Sequence, residues 1–356
     1  MLYYDPIKNV DGQCIPVSRA AVGIYLALSS VQTAQKKVLV PANICYAAIF
    51  PILYLGMKPV FCDVSPESGN VTYDTVSRAI EDEMVAMIIP HMYGNPVKDL
   101  MSIAALCKNK GILLIEDCAS AMGATQPDYT LGCVGDFTVY STGYSKTLDL
   151  GFGGLLISHC FALEEYEKME RMLPCVTEEA EENLRFFSSL YRLIRNQGGR
   201  STIPQMIYKG LPNCVKLGLI HSIDENKKES LIHGLCALPQ TIIERRKALT
   251  DYQKQLTDIH EKNKYCFSEG AVPWRFNMLI DDQEKKKNII RRCISEELPV
   301  SDWYPVVTHM FQEYSSFPGA IWHEKHILNF PLLIMPEKRK RICEIIKSCY
   351  VENEVE

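Results

Sequence analysis

The sequence has 356 residues, 47% of them hydrophobic and 23% charged, and its formal net charge is −5. These values are typical of a globular protein that has a large core and room for a second, smaller domain. They disfavour a nucleic-acid-binding protein, because the basic run at 338–341 has no interleaved aromatic residues and is expected on the solvated face of a terminal helix.

Apolar runs alternate with amphipathic stretches through the first part of the chain. Strands are predicted at 38–40, 59–64, 85–90 and 112–115. Helices are predicted at 20–29, 46–55, 72–80 and 99–108. This alternation predicts a mostly parallel sheet that is covered on both faces. Two further strands, at 137–141 and 154–158, follow with too little chain between them for a full helix.

The pattern changes after residue 160. Helical periodicity fills the segment 161–258, a strand pattern returns at 275–280, and helices are predicted at 284–297 and 337–350. We therefore predict a large domain over residues 1–258 and a small C-terminal α/β domain over residues 259–356.

Two carboxylates follow the predicted strand at 112–115. Glu116 and Asp117 would point to opposite faces if the strand continues, so one of them at most faces a given pocket. The end of a strand that simply meets water is one interpretation. A catalytic or cofactor-binding carboxylate is the other.

A lysine lies five residues beyond the strand at 137–141. Lys146 stands among small hydroxyl residues and is followed by the glycine-rich turn 151–154. Glycines allow the backbone to approach a ligand closely, and serine hydroxyls suit phosphate oxygens. The segment predicts either an ordinary surface lysine or an amine that forms a Schiff base.

The start of the first predicted helix is a third candidate site. Ser18, Arg19 and Ala20 lie where free N–H groups and the helix dipole attract phosphate. Ser18 could also be a simple N-cap, and both roles are compatible.

The cysteines indicate the redox compartment. Several of the fourteen lie in apolar runs, where free thiols behave as small core residues. There is no Cys-x-x-Cys pair and no Cys/His set with zinc spacing, so no metal is expected. With no signal peptide or membrane-spanning stretch in view, we expect a cytoplasmic protein.

Read together, these motifs resemble the DegT/DnrJ/EryC1/StrS family of sugar aminotransferases, which has the aspartate-aminotransferase fold (fold type I of the pyridoxal-phosphate enzymes). The matching segments are 40–42, 56–64, 89–94, 115–124 and 132–137, with Ser141, Lys146 and the glycines of 151–154. The resemblance implies a large domain with a mostly parallel, seven-stranded sheet, a small C-terminal α/β domain and a homodimer.

The resemblance also implies a function and roles for individual residues. The expected reaction transfers an amino group from glutamate to a nucleotide-linked keto sugar in polysaccharide, lipopolysaccharide or glycoside biosynthesis, with pyridoxal 5′-phosphate as cofactor. Lys146 would carry the cofactor as a Schiff base and move the proton, and Asp117 would pair with the pyridine nitrogen. The remaining cofactor-binding positions would be Ser141, Arg19 and Ala20 at the phosphate and Ser120 and Cys45 at the ring, and the sugar-binding positions would be Tyr304 and His309.

Several positions depart from the family pattern. Ser120 stands where glutamine is usual, Cys45 where an aromatic residue commonly stacks on the ring, and Phe152 where the glycine-rich turn has glutamate. A non-catalytic or regulatory relative therefore remains an alternative. A sugar dehydratase of the same family is a second one, although such enzymes have histidine at the position of Lys146. A NAD-dependent Rossmann enzyme would need a Gly-x-Gly-x-x-Gly turn near residues 38–46, which is not there.

Overall fold

The structure, a computed structural model, describes residues 14–31, 36–196, 210, 212–311 and 315–351, without the side chains of residues 192–196 and 309. The strands in these ranges are β1 Cys14–Val17, β2 Lys37–Pro41, β3 Lys58–Cys62, β4 Met84–Pro90, β5 Leu113–Asp117, β6 Phe137–Ser141, β7 Gly154–Ser158, β8 Phe276–Leu279 and β9 Ile327–Phe330. Six of these strands lie where the apolar runs of the first half predict them, because a strand covered on both faces is apolar along its whole length.

Seven strands form one sheet in the order β1-β7-β6-β5-β4-β2-β3. Neighbours from β6 to β3 pair in parallel, and β7 is antiparallel to both β1 and β6. The short connection between β6 and β7 explains the reversal, since a parallel crossover needs a dozen residues or more and a helix to cover the sheet. The predicted fold class is confirmed.

Helices cover the sheet and build the second half of the chain. They are α1 Ala20–Ser29, α2 Tyr46–Tyr54, α3 Tyr73–Ala79, α4 Leu100–Lys110, α5 Glu164–Met172, α6 Glu178–Asn196, α7 Lys216–Leu219, α8 Glu225–Leu235, α9 Leu238–Gln255, α10 Thr257–Lys262, α11 Gln283–Ser295, α12 Pro318–His326 and α13 Pro336–Val351. Helix α1 lies directly on the sheet, since a Cβ at its Gly23 would come within 3.1 Å of Val139 on β6. Among the described helices, none is long and apolar enough to cross a membrane.

The start of α1 differs from the N-cap interpretation of Ser18. The hydroxyl of Ser18 donates a hydrogen bond to the carbonyl of His221, at 2.6 Å, and the N-cap residue is Arg19, which has extended backbone angles and no capping side chain. Strand β1, which the sequence pattern did not reveal, ends immediately before Ser18 and pairs with β7. Ser18 therefore ties the start of the helix to the helical second half.

A second, smaller core lies around the two-stranded sheet of β8 and β9. Helices α9, α11 and α13 pack on it, and the rings of Tyr252 and Phe276 stack with their centroids 4.6 Å apart. Strand β9 and helix α12 are elements that the sequence pattern did not predict. Because Tyr252 and Leu256 belong to this core, the small core draws on the end of α9. The boundary after residue 258 stays a prediction.

Candidate active site

One cavity of about 240 Å³ lies at the carboxyl ends of the parallel strands β4, β5 and β6 and beside the start of α1. Ligand sites of open α/β sheets are expected at this edge. The predicted site residues that line the cavity are Arg19, Ala20, Cys45, Asp117, Ser120, Ser141, Lys146 and Tyr304. The side chain of His309 lies outside the described residues, although its backbone belongs to a short 3-10 helix, Thr308–Phe311. The structure therefore brings together eight of the nine residues.

Asp117 ends strand β5 with its carboxylate in the cavity wall. Its side chain is buried, and Oδ1 accepts a hydrogen bond of 2.9 Å from the N–H of Ala119. Burial raises the pKa of Asp117, and the nearby Lys146 opposes part of that rise. A cation placed against this carboxylate would relieve the cost of its burial.

Glu116, the preceding residue, points away from the cavity into the protein. It is fully buried, and its two oxygens accept hydrogen bonds from the N–H groups of Gly132, Val134 and Gly135 at 2.7–3.0 Å. The interpretation of this strand end as one that meets water is therefore wrong for both carboxylates. The hydrogen bonds of Glu116 hold the turn that precedes β6 against strand β5, whereas Asp117 lines the cavity.

His91 connects Glu116 to the cavity wall. Its Nδ1 accepts a hydrogen bond from the N–H of Val97 at 3.1 Å, so the ring proton is on Nε2, which donates to Glu116 at 3.2 Å. Burial alone would raise the pKa of Glu116, but the hydrogen bonds from His91 and the backbone outweigh it and leave this pKa below its ordinary value. His91 also lines the cavity, a role that the sequence analysis missed.

Lys146 reaches the cavity from the loop that follows β6. Its Nζ donates to Ser120 Oγ at 3.4 Å, and Tyr304 lines the same cavity. Burial opposes the charged form, but Tyr304, Cys45 and Asp117 outweigh it and raise the pKa of Lys146. Because Lys146 is half-buried and lines the cavity, it is not an ordinary surface lysine.

The opposite end of the cavity offers donors for an anion. The N–H of Gly143 donates to Ser141 Oγ at 3.2 Å, which leaves the hydroxyl proton of Ser141 available for a ligand. Arg19 Nε is buried, and no acceptor for it lies among the described residues. Ala20 is the first residue of α1, where backbone N–H groups have no partner inside the helix.

These donors fit the cofactor that the sequence analysis expected. An unpaired buried guanidinium N–H, a serine hydroxyl and a helix start suit a phosphate, while Asp117 and Lys146 lie in the same cavity. Cys45 is half-buried in the cavity wall, and burial raises the pKa of its thiol. It thus presents a small side chain where an aromatic ring was the family expectation.

The second half of the chain supplies residues that the sequence analysis did not single out. Trp274 Nε1 and Arg275 both donate to Ser145, the residue before Lys146, and Ser145 has a positive φ of 62°. Arg245 donates to the carbonyl of Lys146 itself. No local pattern could have indicated them, because the backbone and the hydroxyl that they contact are far away in sequence.

Comparison with known proteins decides the family. The model of the DegT/DnrJ/EryC1/StrS aminotransferase family matches residues 9–347. The chain belongs to this family. The predictions of the family, of its pyridoxal-phosphate-dependent aminotransferase class and of the fold are thereby confirmed.

Curated relatives match this family member at moderate identity. GDP-perosamine synthase of Escherichia coli O157:H7 is 25% identical over 346 residues, which cover 94% of this chain and 85% of the relative. GDP-perosamine synthase of Vibrio cholerae is 34% identical over 144 residues, so the match spans 40% of this chain and only 39% of that relative.

Among solved structures, the aminotransferase TlmJ from Streptoalloteichus hindustanus is similar in fold. Its TM-score is 0.74 at 20% identity, and the match covers 96% of this chain and 87% of that structure. At this identity the likeness concerns the fold alone.

Proposed function

We propose that this protein transfers an amino group from an amino-acid donor, glutamate in the first instance, to a nucleotide-linked keto sugar for polysaccharide, lipopolysaccharide or glycoside biosynthesis. The observation that carries the proposal is the shared cavity, in which the Lys146 amine and the Asp117 carboxylate lie together with anion donors at the start of α1. A regulatory relative would not need a half-buried lysine beside a buried carboxylate and a set of anion donors.

Pyridoxal phosphate, when bound, supplies a carbonyl that condenses with amines and a ring that accepts electrons from a neighbouring carbon. Asp117 would hold the pyridine nitrogen protonated, since the paired charges favour one another. Ser141, Arg19 and the N–H of Ala20 would hold the phosphate, and Ser120 and Cys45 would contact the ring.

Lys146 would perform the proton transfer. Its amine donates a hydrogen bond to Ser120, which limits the positions that Nζ can take. From there it would take the proton from the α-carbon of the amino donor and later return a proton to the carbon that receives nitrogen. Tyr304 and His309 would contact the sugar. Tyr304 lines the same cavity as Lys146.

The names of relatives guide the choice of acceptor. GDP-perosamine synthase and a dTDP-4-dehydro-2,3,6-trideoxy-D-glucose 4-aminotransferase of Saccharopolyspora spinosa support a nucleotide-linked keto sugar. The latter is 37% identical over 118 residues, which cover 30% of its length. An L-glutamine:2-deoxy-scyllo-inosose aminotransferase of Streptomyces fradiae points to a keto cyclitol and glutamine as the pair to test against them.

A matrix of acceptors and donors tests the proposal. GDP-linked and dTDP-linked 4-keto sugars and the keto cyclitol are each incubated with glutamate or glutamine, and the deaminated donor and the amino product are measured. We expect turnover with a nucleotide-linked sugar and glutamate, and none with the Lys146→Ala variant. If only the cyclitol is turned over, the acceptor is a keto cyclitol and not a nucleotide-linked sugar. If the protein binds the cofactor but turns over none of the acceptors, the regulatory alternative is favoured.

We also propose a cytoplasmic homodimer. All fourteen cysteines are free thiols, which suits a reducing compartment. Phe186 on α6 and Tyr144 at the cavity mouth are 64% and 80% exposed, and apolar surface of this kind is often covered by a partner. Light scattering should give twice the chain mass of 40.4 kDa. A fully active monomer would contradict the dimer.

A further inference from the structure

Arg245 on α9 is a buried cation whose hydrogen-bond acceptors are backbone carbonyls. Its side chain is only 7% exposed. Nε donates to the carbonyl of Thr147 at 2.8 Å, Nη2 to that of Lys146 at 2.7 Å and Nη1 to that of Trp274 at 2.9 Å, with a longer contact of 3.5 Å to Pro273. One guanidinium thus joins three chain segments.

The acceptors explain how this charge can stay buried. Burial lowers the pKa of Arg245 to about 10, which still leaves it charged at neutral pH. A planar guanidinium with five N–H donors in a fixed arrangement can satisfy several carbonyls at once. The same arrangement fixes the carbonyls, because moving one of them would leave a buried donor without a partner.

Two of these carbonyls belong to Lys146 and its neighbour. The loop also has other attachments: Thr147 Oγ1 donates to the carbonyl of Ser120 at 3.2 Å, and Ser145 receives the bonds from Trp274 and Arg275. Arg245 is the residue among these that fixes the peptide groups on the C-terminal side of the Lys146 Cα. The position of the Lys146 Cα is therefore fixed by a residue of helix α9, which lies 99 residues further along the chain.

We propose that Arg245 is a positioning residue for Lys146, holding the backbone of the lysine so that its amine reaches the cavity in one geometry. This inference rests on the proposed function of Lys146. It assigns to Arg245 no contact with substrate or cofactor. The alternative is that Arg245 only stabilises the fold.

The neighbouring Arg246 provides a matched control. It lies on the same helix, and among the described residues the acceptor of its guanidinium is the carbonyl of Ala271, at 3.3 Å. Arg245→Met removes the donors and keeps the length of the side chain, Arg245→Lys keeps one charged donor group, and Arg246→Met repeats the first change one residue away.

The test measures the rate at which each cofactor-free protein captures pyridoxal phosphate, followed as growth of the visible absorption band, together with kcat, KM and Tm. For Arg245→Met we expect capture and kcat to fall by roughly 100-fold, the size expected when a reacting group is misplaced by about 1 Å. KM for the sugar should stay nearly unchanged. Arg245→Lys should recover part of the loss, and Arg246→Met should behave as the wild type does.

The outcomes separate the inference from the proposed function. If folded Arg245→Met captures the cofactor at the wild-type rate, the positioning role is wrong. It is equally wrong if Arg246→Met, at a similar loss of Tm, shows the same loss of capture as Arg245→Met. Should Arg245→Met not fold, Arg245→Lys decides: a lowered capture rate at an unchanged Tm supports the role, and the wild-type rate overturns it. If the wild type itself forms no band and no borohydride-stable product, the proposed function fails and the inference falls with it.

Discussion

The two sides of the cavity hold their functional groups in different ways. On the sheet side, Asp117 and Ser141 are the last residues of strands β5 and β6, so the sheet fixes where their backbone lies. On the other side, Lys146 is in a loop, and the neighbouring backbone is held by Arg245 while Ser145 is held by Trp274 and Arg275. The edge of the sheet thus supplies the cofactor-binding groups. The loop after β6, which is hydrogen-bonded by residues distant in sequence, supplies the reactive amine.

The largest effect is expected on the loop side. Lys146→Ala should abolish transamination and the visible band of the bound cofactor, because no other group in the described cavity can replace its amine. The fold should be intact, with Tm close to that of the wild type. Lys110→Ala, at the exposed end of α4, is the control and should retain full activity. Activity that survives in Lys146→Ala would show that the loop side of the cavity does not supply the reactive amine.

On the sheet side, Asp117→Asn should retain some cofactor binding and lose most of the rate. A neutral partner no longer keeps the pyridine nitrogen protonated, and the loss of one preorganised electrostatic partner commonly costs about 100-fold or more in kcat. Measurement of kcat and of cofactor affinity on the same preparation checks this. A variant with the wild-type kcat would show that Asp117 is not the partner of the ring.

Glu116→Gln, one residue earlier on the same strand, should affect stability instead. The amide replaces one acceptor oxygen with a donor facing N–H groups, so we expect a loss of about 1–3 kcal/mol in the free energy of unfolding. Denaturant titration of Glu116→Gln and Asp117→Asn side by side makes the comparison. If Glu116→Gln lowered kcat without lowering stability, the assignment of the two faces of β5 would be reversed.

The smallest effect is expected at the phosphate end. Ser141→Ala should weaken cofactor affinity by about 1–3 kcal/mol, the value of one hydrogen bond to a charged group, and leave kcat at saturation nearly unchanged. Equilibrium titration of the cofactor-free protein measures it. Unchanged affinity would mean that the phosphate lies elsewhere, with Arg19 as the first alternative to examine by Arg19→Met.

The same contrast explains what could be predicted from the sequence. Periodicity predicted β2 to β7, because these strands depend on local order along the chain. The end of β5 offered Glu116 and Asp117 without deciding between them, and the choice of Asp117 and of Ser141 came from the family resemblance. Strand β9 was missed because four residues leave little pattern, and helix α12 because its apolar residues do not recur on one face. The roles of Arg245 and His91 were missed for another reason: they contact the backbone and a buried carboxylate of distant residues, which no spacing records.

The central claim is that Lys146 is the amine that holds the cofactor, and chemical trapping tests it most directly. The purified protein is loaded with pyridoxal phosphate, reduced with borohydride and digested, and the modified peptide is identified by mass spectrometry. We predict a pyridoxyl group on Lys146, and its loss in Lys146→Ala. A pyridoxyl group on Lys110 or any other lysine, or none at all, would contradict the account.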